Sequence, residues 1–137
     1  MIVTFEIPGT PHAKQRARSG FGGRHYTPTK TVNAEAVVRL TAAQHFREPL
    51  AGPVRLEVLA VFAPPASWSK RKTAAMLGKP HVQRPDLDNI YKSVCDGLNG
   101  IAYADDGQVA EVAAVKRWGP RAHIVVTISH VAGANAK

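Results

Sequence analysis

The sequence predicts an α/β fold of the α+β type, a single mixed sheet of about four strands with helices packed on one face. Two patterns predict it. Residues 2–8 and 54–62 alternate apolar and polar side chains with the period of a strand, whereas residues 31–46 and 87–98 repeat apolar positions at helical spacing. The order strand, loop, helix, strand, short helix, helix, hairpin then suggests one mixed sheet. At 137 residues the chain is one domain, 1–137, long enough for a core.

The first strand sets Ile2, Thr4 and Glu6 against Val3, Phe5 and Ile7, and Pro8-Gly9 ends it. Its acid and its alternation distinguish it from a signal peptide. From Lys14 to Lys30 the chain carries Lys14, Arg16, Arg18, Arg24 and Lys30 with no acid, interleaved with Phe21, His25 and Tyr26. This is the composition of a loop that grips phosphates. His12 and His25 have no partner at ligand spacing and receive no catalytic role.

A helix is expected from about Thr31 to Phe46, with Ala34, Val37, Val38, Thr41, Ala42 and His45 on one face and Pro49 beyond its end. His45 reads as a semi-buried histidine and not as a ligand. Pro53 opens the strand Val54 to Phe62, whose latter half is apolar on both faces, as a central strand requires. Ser67 or Ser69 caps a short helix from Lys70 to Leu77. Trp68 reads as a packing residue, and Lys70, Arg71, Lys72, Lys79 and Arg84 form a second basic cluster. Val109–Trp118 and Ala122–Ser129 read as a hairpin around Gly119-Pro120, and the small, polar residues from 131 onward as a frayed tail.

All five Asp residues, Asp86, Asp88, Asp96, Asp105 and Asp106, fall within one short stretch of a chain whose net charge is +8. Pro85 makes Arg84 extended, so Asp86 lies just outside or at the start of a helix and Asp88 at or near its N-cap. Leu87, Ile90, Tyr91, Val94, Cys95 and Leu98 form the apolar stripe, and Asn99-Gly100 the stop. Such a helix runs roughly 15 to 18 Å, and the residues from Gly100 to Gly107 are long enough to retrace it. Asp105 and Asp106 can therefore return to the level of Asp86 and Asp88. Carboxylates gathered this way repel one another unless a cation neutralises them, and Mg²⁺, with Mn²⁺ as a substitute, suits oxygen ligands. A metal site of this kind activates a water for attack on a phosphodiester. Lys92, one turn after Asp88, can reach the scissile phosphate, while Asp96 is assigned a structural place.

Other chemistries fit less well. An EF-hand fails because Tyr91 stands where its Gly belongs and Gly97 where its bidentate Glu belongs. The lone Cys95 lies on the apolar stripe, as in a reducing cytoplasm, and within one chain it excludes a disulfide or thiolate metal site. No run of eighteen apolar residues offers a membrane span. The reading from another class is a DNA-binding module whose acids pair only with its own cations.

Arg84-Pro85-Asp86-Leu87-Asp88-Asn89, with Lys92, Asp96, Leu98-Asn99-Gly100, then Asp105-Asp106 and Gln108-Val109, resembles the RusA family of Holliday junction resolvases. Lys14-Gln15-Arg16 and Tyr26-Thr27-Pro28 resemble its phage and prophage branch. The resemblance spans about residues 2 to 129. It implies a RusA-like fold and a homodimeric, Mg²⁺-dependent endonuclease that nicks four-way DNA junctions in pairs, inside a bacterial cytoplasm. It makes Asp86, Asp88 and Asp106 the metal-binding catalytic carboxylates, with Asp105 beside them and Lys92 as a basic catalytic residue. The sequence departs from the family pattern at His81-Val82-Gln83-Arg84, less arginine-rich than the founding member, and at Gly97 inside the helix, which costs about 1 kcal/mol of helix stability relative to Ala.

Overall fold

The computed structural model describes residues 1–13, 18–19, 25–26 and 29–132. Its elements are β1 (Ile2–Pro8), β2 (Arg18–Ser19), β3 (His25–Tyr26), α1 (Thr29–Ala43), β4 (Val54–Phe62), α2 (Lys70–Met76), α3 (Leu87–Leu98), a 3₁₀ turn (Asp106–Gln108), β5 (Val109–Trp118) and β6 (His123–His130). The four long strands form one mixed sheet in the order β1-β6-β4-β5. β4 runs parallel to β5 and antiparallel to β6, and β1 is antiparallel to β6. β2 and β3 pair separately as a short antiparallel ribbon inside the stretch expected to be loop. Two-residue strands carry too little alternation to be read from sequence.

The alternation in β4 is the alternation of the sheet. Val54, Leu56, Val58, Ala60 and Phe62 are buried under the helices with Phe5 and Ile7 of β1 and Ile124, Val126 and Ile128 of β6. From α3, Ile90, Val94, Cys95 and Leu98 close this core, and α1 adds Val38 and Ala42. β4 is an interior strand, as its two apolar faces require. α1 begins and ends two or three residues earlier than the periodicity suggests, and His45 lies beyond it, exposed and stacked on Phe5 at 5.0 Å. Ser69 caps α2 by accepting from Lys72 N at 3.1 Å. Trp68 packs against Trp118, with ring centroids 4.8 Å apart.

One expectation is overturned. β5 and β6 are not a hairpin, because β4 lies between them. The residues from 119 to 122 therefore cross two strand spacings, about 10 Å. Gly119 makes the crossing possible: it is buried, donates to Phe62 O at 2.9 Å, and a Cβ there would stand 2.4 Å from Val61 Cγ1. The short Gly-Pro connection resembles a hairpin turn in sequence, but the glycine serves close passage over the end of β4.

Gly97 acquires a similar reason. A Cβ at this position would lie 2.7 Å from both Cβ and Cγ1 of Val38, so the glycine sets how closely α3 approaches α1. The β-branched Val38 is stiff and buried, and it cannot rotate away freely. Gly97→Ala is thus expected to destabilise the fold by about 1 to 3 kcal/mol through overpacking, despite a helix-propensity gain of about 1 kcal/mol. Thermal melting checks this, and the double variant Gly97→Ala/Val38→Ala should recover part of the loss.

Candidate functional site

Asp86, and not Asp88, is the N-cap of α3. Its backbone is extended, at φ −70° and ψ 143°, after a cis Arg84–Pro85 bond, and its side chain makes no capping hydrogen bond. Asp88 falls in the first turn, where a carboxylate is favoured by the exposed N–H groups of the helix start. Its Oδ1 accepts from Asn89 N at 3.0 Å. Both acids are exposed to solvent. A shallow hollow beside them is lined by Ala13, Arg84, Pro85, Asp86 and Asn89.

The return loop is fixed at two points. Tyr103 is fully buried, and its hydroxyl donates to Cys95 O at 2.7 Å, which ties the loop to the last turn of α3. Burial, with the contact to Cys95, pushes the Tyr103 phenol far above its ordinary range, and Tyr91 is raised for the same leading reasons. The second point is Gln108. Its amide oxygen accepts from Ala104 N at 2.8 Å and Asp105 N at 3.1 Å, while its Nε2 donates to Leu50 O at 2.8 Å and Gly52 O at 2.9 Å. Asp105 completes a capping box by accepting from Gly107 N at 3.0 Å.

Asp106 is delivered by this turn to the side of α3. Lys92 Nζ stands 3.1 Å from Asp96 Oδ1 and 4.0 Å from Asp106 Oδ2. The hydrogen bond and charge of Asp96, followed by the charge of Asp106, raise the Lys92 pKa and keep it cationic. Retracing thus sets Asp106 against Lys92, which lies one helical turn after Asp88. Among the described residues no group of three or more His, Cys, Asp or Glu side chains is gathered as a metal cage. The donors at hand are carboxylate oxygens, two of them exposed and on the first turn of one helix. This set fits a hard divalent cation of the kind that keeps most of its waters and takes one or two carboxylates.

The basic residues divide into two groups. Lys70, Arg71, Lys72, Lys79 and Arg84 are all exposed, with Lys72 Nζ 4.3 Å from the Trp68 ring centroid. Lys14, Arg16 and Arg24 lie outside the described residues, while Arg18 belongs to β2 and Lys30 to the first turn of α1. His81 is buried against Phe62 and Trp118, at centroid distances of 3.9 and 4.4 Å. Burial, and then the charge of Lys116, hold its pKa below the ordinary value.

Gln108 and Lys116 are the residues that pattern reading passed over as site-forming. The spacing Asp105-x-x-Gln108 is itself a capping-box signature. Lys116 signals itself only by parity, since it shares with Ala114 and Trp118 the face of β5 that the helices cover.

The family model of endodeoxyribonuclease RusA matches residues 8–129. A protein of Bacillus subtilis (strain 168), described as uncharacterized protein YqaN, is 33% identical over 138 residues, covering 94% of this chain and 96% of that protein. The chain belongs to the RusA endodeoxyribonuclease family.

Proposed function

We propose that the chain is a Mg²⁺-dependent nuclease that resolves four-way DNA junctions by paired nicks, with Mn²⁺ able to replace Mg²⁺. The observation that carries the reading is the pair of exposed acids at the start of α3, Asp86 at the N-cap and Asp88 in the first turn, with Lys92 one turn further along the helix and Asp106 set against it by the following 3₁₀ turn. Asp86 and Asp88 at the start of α3 and Asp106 on the following turn are the carboxylates that would serve the ion, one or two of them as direct ligands and the rest through its waters, while Asp105 shapes the turn that presents Asp106. A bound divalent cation supplies Lewis-acid charge at the phosphodiester and lowers the pKa of water at neutral pH.

The chain's own groups do the rest. Lys92, kept protonated between Asp96 and Asp106, offers a fixed positive charge to a phosphate oxygen or to the leaving 3′ oxygen. Arg84, the Lys70 to Lys72 cluster, and Lys14, Arg16, Arg18, Arg24 and Lys30 would meet the phosphate backbone. Phosphate contacts of this sort position the strand without reading its sequence. Such binding weakens steeply with salt.

Two active sites are needed for paired nicks, which favours a two-fold homodimer. The sheet face turned away from the helices offers a surface for the second copy, since Leu59, Val115 and Val125 lie there between Glu57 and Arg117. Light scattering of the full chain is expected to give the mass of two copies; a single-copy mass at every concentration would sink the dimer.

The function is tested with a strand-labelled synthetic four-way junction beside a linear duplex of the same sequence, with Mg²⁺ and with EDTA. Symmetric nicks in the junction alone, and only with Mg²⁺, are expected. Binding without nicks in either Mg²⁺ or Mn²⁺ makes the chain a junction-binding module instead.

A further inference from the structure

We propose that Lys116 is a positioning residue for the carboxylates at the start of α3, acting through the backbone just before them. The proposal rests on the nuclease reading above. Lys116 Nζ donates to Gln83 O at 2.7 Å and to Pro85 O at 2.8 Å. Pro85 directly precedes Asp86, and Asp86 O accepts the first helical hydrogen bond, from Ile90 N at 3.2 Å. The ammonium therefore holds the last peptide before the N-cap.

A lysine on an exposed strand would ordinarily extend into water. Lys116 is half-buried, lies opposite Ala60 in the sheet register, and turns its charge onto two carbonyls. Its own carbonyl accepts from His81 N at 3.1 Å, so β5 grips the segment 81–85 at both ends. Bonds from an ammonium are stronger than neutral ones. Among the described residues, these bonds fix the segment between His81 and α3.

The same strand begins directly after the turn that carries Asp106. One rigid element thus sets both acidic groups: Asp106 through the covalent chain at its first end, Asp86 and Asp88 through Lys116 in its last half. Misplacement of a catalytic group by about 1 Å is enough to lower a rate about a hundredfold.

The test compares the full-length wild type with Lys116→Met, which keeps the stem and removes both bonds, and with Lys116→Arg, which can restore them. Amide hydrogen exchange is followed at residues 86–90. Single-turnover cleavage of a labelled four-way junction in Mg²⁺ is set beside band-shift affinity in EDTA. Lys116→Met should exchange about tenfold faster at Asn89 and Ile90 and cut about 10 to 100-fold more slowly at saturating junction, with affinity unchanged within about twofold. Lys116→Arg should recover both readouts to within a few-fold.

Exchange and cleavage at wild-type levels in Lys116→Met overturn the proposal. So does a loss that falls on affinity, or one that Arg fails to recover, because either makes Lys116 a DNA contact or a general support of the fold. If Lys116→Met does not fold, Lys116→Gln, able to donate to one carbonyl, gives the same two outcomes. Should the wild type cut no junction, the nuclease reading fails by itself, and the exchange comparison alone decides whether Lys116 holds the start of α3.

Discussion

Asp88→Asn should bind a four-way junction as the wild type does and cut it at least about a hundredfold more slowly, the scale of losing a preorganised charge at a reacting centre. The substitution is close to isosteric, and its amide oxygen can still accept from Asn89 N, now at 3.0 Å from the carboxylate. The first turn of α3 therefore stays formed. What disappears is a negative charge in a basic surround, so affinity for DNA should hold or rise slightly. A fall in kcat without a rise in KM separates loss of chemistry from loss of binding. Equal cleavage by the two proteins would remove Asp88 from the site.

Gln108→Ala is the second large effect, and it acts on the fold as well as on the chemistry. The amide makes four hydrogen bonds, two that fold the turn at Asp105 and two that tie this turn to the segment at Leu50 and Gly52. Each is worth about 1 kcal/mol net, less where water can replace the lost partner at the exposed Ala104 and Asp105 amides. A loss of about 2 to 3 kcal/mol is expected, read as a fall of roughly 6 to 12 °C in Tm for a chain of this size. Asp106 loses its seat beside Lys92 in the same step, so cleavage should drop even well below the new Tm. Gln108→Glu is a sharp control. A carboxylate can accept from the turn but cannot donate to Leu50 O and Gly52 O. It should be no better than Ala, and wild-type stability in either variant would contradict the bonding described here.

Much of this was open to reading in the residues, for a physical reason. Strands β1, β4 and β5 start and stop where alternation and Pro or Gly dictate, and α3 has an apolar stripe that only one helical face can satisfy. Pairing is less legible. Nothing local in Val109 to Trp118 says that its neighbour is β4 and not β6, because the choice depends on which buried strand best fills the centre of the sheet. Gly119 and Gly97 looked like a turn former and a helix liability; each is a close approach to a valine from a distant element. Sequence records the missing side chain but not the neighbour that requires it.

The site divides the same way. The acids were evident from their clustering against a basic background, and the retracing loop from its length. Where the loop stops was not, since it depends on Tyr103 reaching Cys95 O and on Gln108 reaching Leu50 O and Gly52 O. These anchors set Asp106 against Lys92. The backbone clamp by Lys116 was equally hidden, because a lysine in a strand is ordinarily a solvent-facing residue.

The central claim is that Asp88 on α3 and Asp106 on the following turn serve one divalent cation. Titration of Mn²⁺ into the full-length wild type, Asp88→Asn and Asp106→Asn, followed by calorimetry in the presence of saturating four-way junction with non-hydrolysable linkages at the cut, tests it without any turnover. The account predicts that each single variant weakens Mn²⁺ binding by at least about tenfold and that the double variant is little worse than either, as for two ligands of one ion. Wild-type affinity in both single variants would contradict it.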